Sequence, residues 1–401
     1  MYDAVIVGAR CAGAGTALLL AQRGYRVLLI DRAAFPSDTM STLYIHPPGV
    51  ALLARWGVLD EVVASGCPAL DTITYDVGGL RLAAPAPATA YAKACYAPRR
   101  QVLDGLLVRA AVAAGAEFTD RTSAREPVWS DGRVTGVRVS RGDVTETVEA
   151  RLVIGADGMN SRIAERVGAP LTRSDPLASC VYYSAWRGVE TGFGYHERPG
   201  SWIARIPTHG DVTLVATYFP QDRFADLRKD PMSGHLAAIE AGAPELHDQV
   251  RAAEQAGRLM GTGNQQNFFR RPHGPGWALV GDAAHHLDTI TARGITNALI
   301  QAQLIADAVA GQDFADAAGL DRRLARYGDE LREVLDEPYT STLELARLQV
   351  PDSRLTLLRT ISDSPELVAS YFAMIAGIID EAEFFTPELL AVLPAGKGRR
   401  A

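Results

Sequence analysis

Gly8-Ala9-Arg10-Cys11-Ala12-Gly13 follows the apolar run Ala4 to Val7 and opens a leucine-rich stretch, and Asp31 closes the next apolar run. Glycines at these places in a strand-turn-helix allow a tight bend and a close helix–strand approach. The free N–H groups at the helix start then favour a pyrophosphate. An acidic residue about 20 positions on can accept from ribose hydroxyls. A plain glycine turn is the competing reading, and the complete βαβ context weighs against it. Arg10 stands where the middle glycine of the pattern belongs. Its Cβ crowds the phosphate approach, while its guanidinium can offer a charge-assisted bond to a phosphate or to the edge of the ligand.

Two further turns have the same form. Gly155-Ala156-Asp157-Gly158-Met159-Asn160-Ser161-Arg162 follows the strand-like run ending at Ile154. The segment Trp277 to Leu299 carries Gly281-Asp282 and Gly294-Ile295-Thr296-Asn297. In it Ile295, Ala298, Leu299, Ala302, Ile305, Ala306 and Val309 form an apolar stripe at helical spacing, so that helix packs on a sheet and aims its N-terminus beyond it. Three such turns can converge on one elongated ligand. His46, in the polar stretch Phe35 to Pro48, and His286, in the third turn, are candidates to face a substrate as acid, base or hydrogen-bond donor. His285 is read as tying that loop together. Arg293 is a candidate for an anionic substrate or ligand oxygen, against the alternative of a surface cation. Cys11 reads as a small residue packed under the first turn. Tyr182, Tyr183, Trp186, Trp202 and Tyr218 could line an aromatic pocket, and core packing is the alternative for most of them.

The elements that must position these residues follow from periodicity. Residues 2–31 read as strand, helix, strand. Val102, Leu106 and Ala110 mark one face of a helix ending at Gly115, and the region from Val128 to Ile154 reads as short strands turning at Asp131-Gly132 and Arg141-Gly142. Alternation between Ala178 and Tyr218 predicts a second, antiparallel sheet. Helical period runs through Gln221 to Leu259 and resumes from Gly311 onward.

The chain has 401 residues, with 40 Lys+Arg against 47 Asp+Glu, a net charge of −7 that argues against a general polyanion or nucleic-acid binder and leaves room for a local basic pocket. A composition 47% apolar and 22% charged is that of a globular protein of roughly two or three domains. Cys11, Cys67, Cys95 and Cys180 are too scattered for a disulfide scaffold, and no CxxC pair suggests zinc, so no metal site is expected. The N-terminus lacks a basic, cleavable leader, and no apolar run approaches the roughly 20 residues of a membrane span. A soluble cytoplasmic protein is expected.

The three turns, in this order and at these separations, resemble the FAD-dependent aromatic hydroxylase superfamily, the single-component flavoprotein monooxygenases of p-hydroxybenzoate hydroxylase fold. Related reductases and halogenases share that scaffold. The resemblance covers residue 1 to about residue 310. It implies an α/β fold: a Rossmann-like FAD-binding domain of glutathione-reductase type (1–70, 98–170 and 265–311), an inserted antiparallel β-sheet substrate domain (71–97 and 171–264), and C-terminal helices (312–401). Gly8, Gly13 and Asp31 would hold the ADP half of FAD, with Arg10 and Arg32 beside them. Arg100 matches the family arginine that meets the cofactor. Asp157 and Gly158 would lie near the pyrophosphate, in a motif that also serves pyridine nucleotide, and Gly281 and Asp282 would hold ribityl and phosphate. Arg293, Gly294, Ile295 and Asn297 would flank the isoalloxazine.

The activity implied is hydroxylation or epoxidation of a small to medium organic substrate, aromatic or a natural product, with NAD(P)H and O2 and through a peroxy adduct of the reduced flavin. There are departures. Thr289, counted with His46 and His286 among the catalytic candidates, stands where the family commonly has a proline that shapes the space over the flavin, which favours a reductase or dehydrogenase as the alternative. Thr42 stands where some hydroxylases have arginine. Trp202 to Pro207 carries Ala204 in place of the second tryptophan of the halogenase box, which ranks halogenation low. Gly261-Thr262-Gly263 lacks a third glycine, so a dedicated NAD(P)H domain is not expected; NAD(P)H docks transiently, or an external flavin reductase serves as partner. A flavin-binding redox sensor is the reading from a different class.

Overall fold

The computed structural model describes residues 1–190 and 192–393. Its organising element is a parallel sheet whose strands lie in the order Trp277–Leu279, Val144–Gly155, Tyr2–Val7, Val27–Ile30, Glu117–Thr119. Val27–Ile30 and the inner part of Tyr2–Val7 are wholly buried, as continuous apolar runs must be when helices cover both faces of a sheet.

The register matters most for function. Val7 pairs with Ile30 on one side and with Gly155 on the other, and Gly155 pairs with Leu279. The strands therefore end at one level, and the turns after them open side by side. Strand order reverses around Tyr2–Val7, and in an open α/β sheet the crevice beyond such strand ends is where ligands bind.

Ser123–Ser130, Arg133–Arg141 and the start of Val144–Gly155 form the expected meander, turning at Asp131-Gly132, where both φ angles are positive (50° and 76°) as a tight hairpin requires. The second sheet is antiparallel except at one junction. Gly194–Arg198 runs parallel to Thr72–Val77, because two separate excursions of the chain meet there edge to edge. A small antiparallel sheet of Leu171–Asp175, Asn267–Arg270 and His285–His286 lies between the two large ones in sequence.

In the helix Arg100–Ala113 the buried seam is Leu103, Leu106, Leu107 and Ala111, which corrects the expected face: Val102 and Ala110 lie at its margin, partly exposed. The stripe Ile295 to Val309 is buried as expected. The long helix Ala317–Ala346 is not an appendage. Leu320, Leu324, Tyr327, Leu331, Leu335 and Tyr339 recur on one face and pack into the core of the parallel sheet, and the Tyr327 hydroxyl donates to the Leu279 carbonyl at 2.8 Å. Beyond it Leu348, Leu358, Ile361 and Phe372 complete a second core against the second sheet. No helix among the described residues is long and apolar enough to cross a membrane.

Candidate active site

At the aligned strand ends lies a cavity of about 730 Å³ whose wall includes Gly8, Asp31, Gly158, Gly281 and Gly294. The turns meet because glycine lets them. A Cβ on Gly8, at φ +106°, would sit 2.3 Å from the Ala156 carbonyl oxygen, and one on Gly281, at φ +64°, would sit 2.7 Å from the Cβ of Ala12. Gly13 is off the cavity wall; a Cβ there would strike the Gly8 carbonyl at 1.8 Å, so this glycine serves the packing of helix on turn.

Asp31 lines the cavity and is fixed by two backbone donors, Ala9 N–H at 2.7 Å and Ala33 N–H at 2.8 Å. It thus locks the glycine turn to the second strand while leaving lone pairs for a ligand. Exposed Arg32 and partly buried Thr42 also border the cavity, Thr42 within the Phe35 to Pro48 stretch.

The arginine at the middle-glycine position has a partner that no sequence motif announces. Asp104 is wholly buried and accepts from Arg10 Nη1 at 2.7 Å and from Arg100 Nη2 at 3.1 Å. The Cys11 thiol donates to the same carboxylate at 3.2 Å, and burial raises the thiol well above its ordinary pKa, so it is neutral packing and not a thiolate. One buried carboxylate thus holds two guanidiniums on the cavity wall with a net charge of +1, suited to a diphosphate. One signal was available: Arg100 and Asp104 are four apart on one helix.

Asp157 borders the cavity, but its carboxylate is occupied. It accepts from the Ser161 hydroxyl at 2.5 Å and from Arg162 N–H at 2.8 Å, ordering its own turn. Asp282, Ile295 and Gly294 also border it. A Cβ on Gly294 would meet no atom within 4 Å, so the helix Gly294–Ala308 opens freely onto the space.

The wall near this helix is polar at Thr289. Its hydroxyl donates to Gln265 Oε1 at 2.5 Å and accepts from the Tyr183 hydroxyl at 2.9 Å; the Tyr218 hydroxyl donates to the Thr289 carbonyl at 2.9 Å. The Thr289 N–H also donates to Gln265 at 3.2 Å, a bond that proline could not make. Gln265 continues to Ser179 at 2.8 Å, and Ser179 donates to Asp288 at 2.7 Å. Burial raises the Asp288 carboxyl to about 6, against the bonds from Ser179 and Ile290 that favour its ionised form. The donor capacity of Thr289 is spent within this network, so its hydroxyl positions the wall and does not serve as an acid.

His286 borders the cavity; its Nδ1–H donates to the Gln266 carbonyl, which leaves Nε2 without a hydrogen-bond partner among the described residues. His46 is off the cavity wall. Its Nε2–H donates to Thr291 O at 2.8 Å, and burial, aided by the charge of Arg293, lowers its pKa to about 3. It braces the third turn as a neutral ring. His285 is held by its ring and not by hydrogen bonds: neither ring nitrogen has a partner among the described residues, and the ring packs against Phe269 (4.3 Å between centroids) and Tyr339 (5.6 Å). Burial lowers its pKa to about 3.

Arg293 is neither a surface cation nor on the cavity wall. It is buried, and its Nη2 donates at 2.7 Å to the carbonyl of Ile375, in the last turn of the helix Pro365–Ala376. A cation is favourable at a helix C-terminus, and the Glu337 carboxylate also favours the charged form against burial. Asn297 is buried off the cavity wall, and neither atom of its side-chain amide has a partner among the described residues. Tyr183, Tyr218 and Trp202 are core residues, with Tyr182 and Trp186 buried elsewhere on the same sheet.

A parallel sheet with three glycine turns opening into one crevice, walled by paired guanidiniums, defines a dinucleotide-binding α/β protein of the flavoprotein type. The chain belongs to the FAD binding domain family, which matches residues 1–335, and is an FAD-dependent oxidoreductase of the aromatic hydroxylase-type superfamily. It is 27% identical over 365 residues to digeranylgeranylglycerophospholipid reductase 1 of Methanopyrus kandleri, covering 86% of this chain and 89% of that one. It is 28% identical over 377 residues to 6-methylpretetramide 4-monooxygenase of Streptomyces rimosus, covering 88% and 84%. Among solved structures, the flavin-dependent brominase Bmp2 superposes with a TM-score of 0.80 at 19% identity, covering 97% of this chain and 96% of the other.

Proposed function

We propose that this protein is a cytoplasmic FAD-dependent monooxygenase that hydroxylates or epoxidises a small to medium organic substrate, aromatic or a natural product, with NAD(P)H and O2. Segments 1–70, 98–170 and 265–311 carry the FAD, and 71–97 with 171–264 carry the substrate under the helices of 312–401. Gly8, Asp31 and Arg32 flank the ADP half, Arg10 and Arg100 face the diphosphate, and Gly281, Asp282, Gly294 and Ile295 flank the remainder. Bound FAD supplies the redox chemistry, taking electrons from NAD(P)H or from a partner reductase.

One observation carries the reading. The cavity end at Thr289, Ala292 and Gly294 abuts a core of Tyr44, Tyr183, Phe193 and Tyr218, each under 4% exposed. A packed core behind that end admits no water from the protein side, and oxygen transfer needs a water-poor site. His286, with Nε2 uncommitted, is placed to accept a proton at the cavity wall. The test is mass spectrometry of products after turnover under ¹⁸O2 with candidate aromatics, where one labelled oxygen per product is the expected result.

Thr289 favours a second reading. A hydrogen-bonded polar wall replaces the family proline, and the Methanopyrus kandleri relative is named a reductase. On this reading bound FAD would supply electrons for reduction of the substrate, with no oxygen inserted. Reoxidation of the reduced flavin by substrate under nitrogen, giving an unlabelled product, selects it.

A further inference from the structure

We propose that the groove between the helix Arg162–Arg166 and the meander binds the 2′-phosphate of NADPH, making NADPH and not NADH the preferred reductant. The inference rests on the reading that a pyridine nucleotide reduces the bound FAD.

The groove has a volume of about 690 Å³ and is lined by Arg125, Arg138, Arg162 and Arg166, with Glu126 and Glu165. Four arginines against two glutamates give 4 − 2 = +2, a local reversal in a chain of net charge −7. Only one of these arginines has a carboxylate partner among the described residues: Arg138 pairs with Glu126 at 2.8 Å. Arg125 uses Nε on the Ser140 hydroxyl at 2.7 Å, which orients the plane of its guanidinium, and Arg162 and Arg166 have no ion pair among the described residues. Guanidiniums converging on a concave site without matching carboxylates suit a dianionic phosphate.

The position singles out a second dinucleotide. Arg162 lines both this groove and the FAD cavity, and on one strand Ser123 and Ala124 face the cavity while Arg125 faces the groove. The groove thus borders the end of the cavity marked by Asp31, where the ADP half of FAD lies on the reading above. The phosphates of FAD lie inward of that ribose, at Arg10 and Arg100, so the outer arginines face an anion that FAD does not carry. The chain has no second glycine fingerprint to hold a pyridine nucleotide, and a phosphate clamp beside the cavity meets that need. A solvated arginine face is the alternative, and it predicts no preference among anions of equal charge.

The experiment is calorimetric titration of the FAD-loaded full chain with 2′,5′-ADP, its equal-charge isomer 3′,5′-ADP and inorganic phosphate, paired with anaerobic stopped-flow reduction by NADPH and NADH. We expect 2′,5′-ADP to bind at least about tenfold tighter than 3′,5′-ADP, and the double variant Arg125→Gln/Arg166→Gln to bring the two within about twofold. In the same variant the NADPH advantage in flavin reduction collapses. Equal binding of the two nucleotides, an advantage that survives the double variant, or phosphate binding without that preference overturns the proposal. The binding result stands apart from oxygen insertion: preference for 2′,5′-ADP with no labelled product supports the groove and sinks the monooxygenase. Labelled product with no preference does the reverse.

Discussion

Arg10 Nη1 lies 2.7 Å from Asp104 Oδ2, so the residue that breaks the glycine fingerprint is held by a carboxylate from another helix, with Arg100 on the other oxygen. The pair replaces bare backbone with a fixed charge. Removing the carboxylate leaves two adjacent guanidiniums repelling each other on the cavity wall. Asp104→Ala is expected to cost about 3 kcal/mol of stability, the usual scale for breaking a buried ion pair, and to weaken FAD retention. Thermal melting and fluorescence titration of FAD check both, and unchanged affinity would remove the pair from the cofactor site.

The contact of Gly8 with Ala156 makes a second prediction. Gly8→Ala places a Cβ 2.3 Å from a carbonyl oxygen at a φ of +106°, so the first two turns must separate. The purified variant should be colourless or retain FAD at a small fraction of the parent's level. A yellow, stoichiometric holoprotein would contradict the convergence of the turns.

Thr289→Val keeps the shape and removes the hydroxyl. Tyr183 and Gln265 each lose a buried partner, at a cost of about 1–3 kcal/mol. If the polar wall sets the space over the flavin, the variant also changes the fraction of reducing equivalents that ends in reduction of O2 to hydrogen peroxide, read in a coupled peroxide assay. A normal melting temperature with unchanged coupling would reduce the network to ornament.

His46 and His285 are buried and neutral, each lowered to about 3 from 6.5. Their unfolded forms take up protons below pH 6.5 while the folded forms do not, so the stability they contribute is present above pH 6.5 and is lost as pH falls toward 3. Asp288 has the opposite sign. Its folded carboxyl, raised to about 6 from 3.8, favours the fold at low pH, and that contribution fades as pH rises through 6. The histidines outnumber it, so net acid destabilisation should begin below about pH 6.5. His285→Phe, which removes from an aromatic nest two nitrogens without a partner among the described residues, should raise stability by about 1 kcal/mol and flatten this acid limb in denaturant titrations at several pH values.

Arg293→Met deletes the cation at the end of the helix Pro365–Ala376, a loss of roughly 1–2 kcal/mol confined to the C-terminal helices. Hydrogen exchange should quicken across 365–393 and leave the parallel sheet protected. Uniform loss of protection would mean that the residue supports the whole fold.

The parallel sheet and its three turns were legible because each is local: an apolar run, a glycine bend and a helix start within a few residues. Gly8, Asp31, Gly281 and Gly294 border one cavity. What escaped depends on contacts far along the chain. His46 and Arg293 sit at suggestive positions, yet the direction of each side chain is set by Thr291 and Ile375, partners that no motif names. Asp104 was readable only as a helical pair with Arg100; its grip on Arg10 crosses 94 positions. The seam of the helix Arg100–Ala113 slipped by one residue because apolar residues fall on neighbouring faces and one buried position, Asp104, is charged, so periodicity alone did not choose the face.

The helix Ala317–Ala346 begins against the parallel sheet and ends against the second sheet, with Thr342 bonded to Thr291 at 2.8 Å near its far end. It splints the two halves like a beam laid across a joint. A clamshell swing between them would have to bend that beam, whereas the stretch Thr39 to Thr42, which borders the cavity and carries no helix or strand, can shift without disturbing either core.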